Sequence, residues 1–173
     1  NKITKGVETE LEGVENIDEN TVDVFLGSAY SPGFYVWFMP KKNGKAKIGL
    51  ATKTGNPNIF LEQFMSNHPF ASEKLDKTKV LHSSFHPITL GGPIKQSYSN
   101  GFIAVGDVAS QVKPTTGGGV IMGVTCAKIA TETCFEALSK NDVSSKTLSL
   151  YQEQCDKTIG FDMKIMREIR KTL

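Results

Sequence analysis

The chain has 173 residues, 39% of them hydrophobic and 22% charged, with a formal net charge of +2. That length can bury a core as one domain or as two small ones, and no basic tract resembles a nucleic-acid-binding arm, so nucleic acid is not an expected partner. The longest apolar runs fall short of the roughly 20 residues a membrane-spanning helix needs, and no signal or transit segment opens the sequence. A cytoplasmic location is therefore expected, with any membrane contact peripheral.

Residues 1–50 carry the alternation of an antiparallel sheet. Lys5–Leu11 alternates weakly and Thr21–Leu26 clearly, with turn-forming residues between them. After Ser31-Pro32-Gly33, two apolar runs, Phe34–Met39 and Ala46–Thr52, flank Lys41-Lys42-Asn43-Gly44-Lys45, a hairpin signature. Period-two alternation puts Tyr35, Trp37 and Met39 on one face and Phe34, Val36 and Phe38 on the other. Both sets are apolar, which predicts a strand covered on both sides.

Pro57–His68 has the pattern of an amphipathic helix ended by Asn67-His68-Pro69, and Phe70–Lys77 that of a second, shorter one. Lys79–Leu90 returns to strand character, with Pro87 marking an edge or bend. His82 and His86 have metal-ligand spacing only on a helix, and the strand-like context with Pro87 argues against one, so no metal site is expected. Gly91-Gly92-Pro93 forms a turn, and the character of the chain changes over Lys95–Asn100.

The most informative stretch is Gly101–Ala127, GFIAVGDVASQVKPTTGGGVIMGVTCA. Phe102–Val105 predicts a short buried strand, and Gly106-Asp107 puts a carboxylate at its carboxyl end, where open α/β sheets keep their ligands. Lys113-Pro114-Thr115-Thr116 leads into Gly117, Gly118 and Gly119 and then a helical pattern, so the glycines lie at a helix N-terminus. Bare N–H groups there suit an anionic or electron-rich ligand. Asp107 can accept from hydroxyls while the glycine turn lets a ring approach the backbone. No Lys-Ser/Thr pair follows the glycines, which excludes a phosphate-binding P-loop.

The helix over Val120–Leu138 places Val120, Val124, Ala127, Thr131, Cys134, Phe135 and Leu138 at near-helical spacing as its expected core stripe. Gly123, Ala127 and Ala130 keep it slim. Ser144-Ser145 offers a cap to a last helix carrying Leu148, Tyr151, Cys155, Ile159, Met163, Met166 and Ile169 and still running at Leu173. Lys164, Arg167, Arg170 and Lys171 give its end a basic face compatible with anionic lipid heads. Cys126, Cys134 and Cys155 form no CxxC pair and are expected as buried, reduced thiols. Cys126 and Cys134 stand too far apart along one helix to be bridged.

Three segments together resemble one family. VGDVASQVKPTTGGGV resembles the second flavin-binding motif of FAD-dependent oxidoreductases with the p-hydroxybenzoate hydroxylase fold. SPGFYVWFMPKKNGKAKIGLAT resembles the Tyr-x-Trp-x-Phe-Pro strand and following Val-Gly strand of geranylgeranyl reductases, with Met39 in place of the Phe. Gly91-Gly92-Pro93 resembles the Gly-Gly-Pro before their flavin motif. The wording is most similar to geranylgeranyl reductases, including the archaeal digeranylgeranylglycerophospholipid reductases.

The resemblance implies an α+β chain: an antiparallel substrate-domain sheet with helices over residues 1–98, then the C-terminal strand and helix of an FAD-binding α/β domain over 99–140, then a C-terminal helix over 141–173. It implies FAD as cofactor, with Asp107 of the Gly106-Asp107 pair on the ribityl chain and Pro114, Gly117, Gly118 and Gly119 facing the pyrimidine side of the isoalloxazine. Tyr35, Trp37 and Pro40 fall among the residues that line the lipid pocket. The implied reaction saturates isoprenoid C=C bonds of geranylgeranyl lipids, with NAD(P)H or a ferredoxin-type protein as the electron donor. The proton donor and other catalytic residues stay unassigned. The alternatives are a flavin monooxygenase or halogenase of the same fold, and a non-catalytic lipid-binding module. The Gly-x-Gly-x-x-Gly fingerprint for the FAD diphosphate occurs nowhere in the sequence. The chain is accordingly expected to be a fragment lacking the N-terminal Rossmann part, truncated in its last helix, inactive alone and weak or silent in FAD binding.

Overall fold

A computed structural model describes residues 3–172. The chain packs as two compact units, Ile3–Ile88 and the residues from Thr89 onward.

The first unit is a five-stranded antiparallel sheet with two helices. Its strands are β1 (Ile3–Glu12), β2 (Asp23–Leu26), β3 (Tyr35–Lys41), β4 (Lys45–Thr52) and β5 (Lys79–Thr89), in the order β2-β3-β4-β1-β5. β3 and β4 form the expected hairpin, with Lys41 opposite Lys45. Asn43 and Gly44 in its loop take φ of 62° and 64°, a left-handed conformation that these two residue types adopt most readily. β1 pairs β4 with Val7 opposite Leu50 and Leu11 opposite Ala46. β5 lies at the sheet edge, which accommodates the missing N–H of Pro87.

One face of the sheet carries the core. Val7, Leu11, Val36, Phe38, Ile48 and Leu50 pack with Leu61, Phe64, Ala71 and Leu75 from α1 (Pro57–Asn67) and α2 (Pro69–Leu75). α1 begins as its sequence requires: the Asn56 side chain accepts from the Asn58 N–H at 3.0 Å, and Pro57 takes the first turn, where no N–H is needed. Phe25, Phe38 and Phe70 close the corner, with ring centroids 4.8 Å apart for Phe25 and Phe70 and 5.3 Å for Phe38 and Phe70. The opposite face departs from expectation. Val36 and Phe38 are buried, but Tyr35, Trp37 and Met39 are only half-buried, so β3 is not covered on both sides. Charged neighbours from β1 and β4 share that face.

The second unit holds a short hairpin, β6 (Tyr98–Ser99) and β7 (Phe102–Ile103), a 3-10 turn at Gly106–Ala109, and two long helices, α3 (Val120–Ser139) and α4 (Ser145–Lys171). The strand expected over Phe102–Val105 is only two residues long and Phe102 is 58% exposed. Its continuation bonds elsewhere: Ala104 N–H donates to Ser97 O at 2.7 Å, and Ala104 O accepts from the Tyr151 hydroxyl at 3.0 Å.

α3 buries a different stripe from the one expected. Met122, Cys126, Ala130, Thr133 and Ala137 are buried, whereas Val120, Val124, Phe135 and Leu138 are 65–78% exposed. The helix is apolar on two sides, and the side of small residues meets α4, because small side chains let two helix axes approach closely. α4 follows expectation through Leu148, Tyr151, Cys155, Ile159 and Met163, with Met166 half-buried and Ile169 turned outward. Ser144 caps its start by accepting from Thr147 N–H at 3.4 Å. α4 ends at Lys171 with Thr172 as its cap residue, and Leu173 lies outside the described residues.

Candidate functional site

Two groups of residues carry the chemistry expected from the sequence, one in each unit.

In the second unit the chain leaves β7 and turns at Gly106, whose φ of +77° is a left-handed conformation that disfavours side chains. Gly106–Ala109 then makes a single 3-10 turn, closed by Ser110 N–H donating to Asp107 O at 2.9 Å. This leaves the Asp107 side chain exposed. A second loop, closed by Gly117 N–H on Lys113 O at 2.9 Å and Lys113 N–H on Gly118 O at 3.1 Å, delivers the glycines to α3. Pro114 is buried beneath it. Gly117 has φ +73°, and Gly119 is the N-cap residue.

Among the described residues no side chain caps α3, so its leading N–H groups face outward from the helix start. The two loops meet at one point: a Cβ built on Gly119 would lie 2.6 Å from Asp107 Oδ1 and 3.4 Å from Val112 Cγ2. Any side chain there would displace the carboxylate. A Cβ on Gly123 would sit 3.6 Å from Gly106 Cα, so one turn further on α3 passes close to the strand end. The structure thus gathers Gly106, Asp107, Gly117, Gly118 and Gly119 around an exposed carboxylate and an open helix N-terminus, with Pro114 as packing underneath.

Sequence reasoning missed a layer behind this turn. Gln111 is 2% exposed; its Oε1 accepts from Gly106 N–H at 2.7 Å and its Nε2 donates to the Tyr151 hydroxyl at 2.8 Å. A glutamine inside a polar loop gives no periodic signal, so nothing local announced its burial. Cys126 and Cys155 lie in the same core. A hydrogen bond with Cys155, added to burial, pushes the Cys126 thiol well above its usual range. Burial likewise pushes up Tyr151.

In the first unit, Tyr35 and Trp37 share a sheet face, their ring centroids 5.9 Å apart and edge to face. Phe34 stacks on Tyr35 at 4.3 Å. The Trp37 indole lies over Gly49, where a Cβ would come within 2.5 Å of the ring. Its Nε1 donates to Glu8 Oε2 at 3.1 Å, and Glu8 Oε1 holds Lys47 Nζ at 2.6 Å. That partnership raises the Lys47 pKa. Pro40 is half-buried opposite Ala46, and alternation sets it on the other face, with Val36 and Phe38. The structure therefore brings Tyr35 and Trp37 together and leaves Pro40 apart.

His82 and His86 are both exposed on β5, and His86 Nε2 lies 3.1 Å from Ser84 Oγ. Among the described residues no group of three His, Cys, Asp or Glu side chains could hold a metal ion, and no helix is long and apolar enough to cross a membrane.

The fold matches that of a solved geranylgeranyl reductase-like structure and of solved flavin-dependent halogenases. It superimposes with a TM-score of 0.89 on a geranylgeranyl bacteriochlorophyll reductase-like protein from Thermoplasma acidophilum, at 23% identity over 99% of this chain and 43% of that one. The flavin-dependent brominase Bmp2 gives a TM-score of 0.73 at 13% identity, over 98% of this chain and 44% of that one.

Sequence comparison narrows this further. Residues 2–85 match the family model for the geranylgeranyl reductase catalytic domain. Digeranylgeranylglycerophospholipid reductase 2 of Methanothermobacter thermautotrophicus is 33% identical over 96% of this chain, and the corresponding reductase of Methanocaldococcus jannaschii 32% identical over 88%. The chain belongs to the geranylgeranyl reductase family. It spans 42% and 39% of the length of those two relatives.

Proposed function

We propose that this chain is the lipid-facing and flavin-facing part of an FAD-dependent reductase that saturates isoprenoid C=C bonds of geranylgeranyl lipids. In this proposal residues 1–98 belong to the substrate domain, 99–140 to the FAD domain and 141–173 to a supporting C-terminal helix. The rest of the FAD domain, with its diphosphate-binding turn, lies in sequence that the relatives have and this chain does not contain.

The observation that carries the proposal is the meeting of Asp107 with Gly119 at the uncapped N-terminus of α3. The residues present fit the group. An exposed carboxylate accepts from ribityl hydroxyls, and a helix start free of side chains admits the edge of a flat ring. The helix N-terminus donates hydrogen bonds and partial positive charge to that edge, a preorganised electrostatic effect favouring an electron-rich ring. Gly119 is required because any Cβ would collide with the carboxylate that binds.

Flavin, when bound, would supply a hydride to one carbon of the double bond, with a proton reaching the other and an external donor restoring the two electrons. Tyr35 and Trp37 would contribute an apolar, rigid wall to an isoprenoid channel, with Glu8 fixing the indole plane. Pro40, on the opposite face, would act by shaping the end of β3. A phospholipid substrate would be met at the membrane surface, and the basic end of α4, with Lys164, Arg167 and Lys171 exposed, supports a peripheral contact.

The test is to assay the full-length protein with FAD, a chemical reductant and digeranylgeranylglycerophospholipid, and to follow product mass. Gain of one H2 per double bond is expected. An oxygen-dependent hydroxylated or halogenated product would instead establish the monooxygenase or halogenase alternative. Lipid bound unchanged, without flavin, would establish the binding module.

A further inference from the structure

We infer that Gln111 and Tyr151 are positioning residues that hold the Asp107 turn ready for the flavin before it binds, an inference that rests on the flavin reading above. Gln111 is 2% and Tyr151 0% exposed, so each polar atom they carry must find a partner inside the protein. The partners form one chain with no free choice of direction. Gln111 Oε1 faces the Gly106 N–H at 2.7 Å and so must be the carbonyl oxygen. Its Nε2 then faces Tyr151 at 2.8 Å, and the tyrosine oxygen accepts from it. The single tyrosine proton goes to Ala104 O at 3.0 Å.

The consequence falls on Asp107. Ala104 and Gly106, which lead into its strand-end turn, are fastened through buried side chains to α4, while Ser110 N–H holds the carbonyl of Asp107 itself. Gly106 N–H has no ladder partner, so without Gln111 it would be left to find water. The left-handed backbone at Gly106 would then be less firmly set, and the carboxylate that follows it would sample positions away from Gly119. Preorganisation of this kind is paid in the folding of the free protein and appears as tighter ligand binding.

The test uses the full-length protein and separates the two halves of the cofactor. Riboflavin probes the Asp107 turn, and ADP probes the diphosphate site outside this chain. Gln111→Leu removes the acceptor for the Gly106 N–H and the amide donor to the tyrosine oxygen, which keeps its own bond to Ala104 O. It is expected to weaken riboflavin and FAD binding about tenfold, the loss of one buried hydrogen bond, while ADP binding stays unchanged and the apo-protein is folded at the assay temperature. Tyr151→Phe, which removes one oxygen and serves where Gln111→Leu does not fold, is expected to weaken riboflavin about threefold with the same indifference to ADP. Riboflavin affinity unchanged in the variants, or riboflavin and ADP weakened alike, would overturn the inference and leave a purely structural brace. Wild-type protein that binds ADP but no riboflavin would overturn the flavin reading itself and this inference with it.

Discussion

Trp37 donates its indole N–H to Glu8 at 3.1 Å across the one intervening strand, because the ring lies flat over Gly49 of β4 to reach β1. Three neighbouring strands are thereby joined on the face opposite the helices. Glu8 is shared with Lys47 and is only partly exposed, so the contact is charge-assisted. The arrangement depends on position 49 having no side chain.

Gly49→Ala is therefore expected to destabilise the sheet unit by about 2 kcal/mol or more, since the added methyl would lie 2.5 Å from the indole and 2.6 Å from the Val7 carbonyl oxygen. Glu8→Ala should cost about 1–2 kcal/mol. Trp37 is the only tryptophan in the chain, so its fluorescence reports both unfolding and its own exposure. A denaturant titration gives the stability change, and Glu8→Ala should also shift native emission to the red. Gly49→Ala within about 0.5 kcal/mol of wild type would show that the indole does not rest where the structure has it.

Acid sensitivity should concentrate at the start of α4. Asp142 accepts from Ser144 N–H at 3.0 Å and from the Thr147 hydroxyl, and these bonds lower its pKa from 3.8 to about 2. A depressed carboxylate stabilises the fold above its unfolded pKa, and that contribution disappears as pH falls through the folded one. Wild-type protein should thus lose its advantage over Asp142→Ala between about pH 4 and pH 2. Thermal melts of the pair across that range check this. A difference independent of pH would mean that the carboxylate charge has no part in the cap.

The thiols should separate by burial. Cys126 and Cys155 are buried and Cys134 half-buried, and the hydrogen bond with Cys155 together with burial holds the Cys126 thiol protonated. Under native conditions an alkylating reagent should modify Cys134 first, the other two following only with unfolding. Rapid native modification of two or three thiols, counted by intact mass, would contradict the packing of α3 on α4.

Much of this architecture could be read from the sequence, and the failures have a common cause. The β3–β4 hairpin, the two short helices, the edge position of Pro87 and the Ser144 cap all announce themselves through residues adjacent in sequence. Which side of α3 faces inward is not a local property. Val120, Val124 and Phe135 look like a core stripe, yet the smaller Cys126 and Ala130 are among the residues that pack with α4. Periodicity identifies apolar faces, and the choice between two of them depends on what packs there. The candidate flavin site divides in the same way. Gly106-Asp107 and the glycine triplet were visible as a motif, while Gln111 became visible only when the fold brought Tyr151 behind it from the far side of the unit.

The α3 faces give a direct check of that lesson. In the present chain Val124→Glu should change stability by less than about 0.5 kcal/mol, whereas Ala130→Leu, on the buried stripe, should cost about 1–3 kcal/mol by overpacking against α4. Denaturant midpoints measured side by side decide it. The reverse order would mean that α3 is turned by half a revolution from its place here.

The central claim is that Asp107 and the start of α3 bind the flavin. Its most direct measurement is the Kd for FAD of the full-length protein, wild type and Asp107→Ala, followed by flavin absorbance and fluorescence together with the melting temperature of each apo-protein. The account predicts a bound-flavin spectrum in the wild type and affinity at least about tenfold weaker in Asp107→Ala, with little change in melting temperature. Equal affinity in the two proteins, or a loss of folding that matches the loss of binding, would contradict it and leave Asp107 as a structural carboxylate.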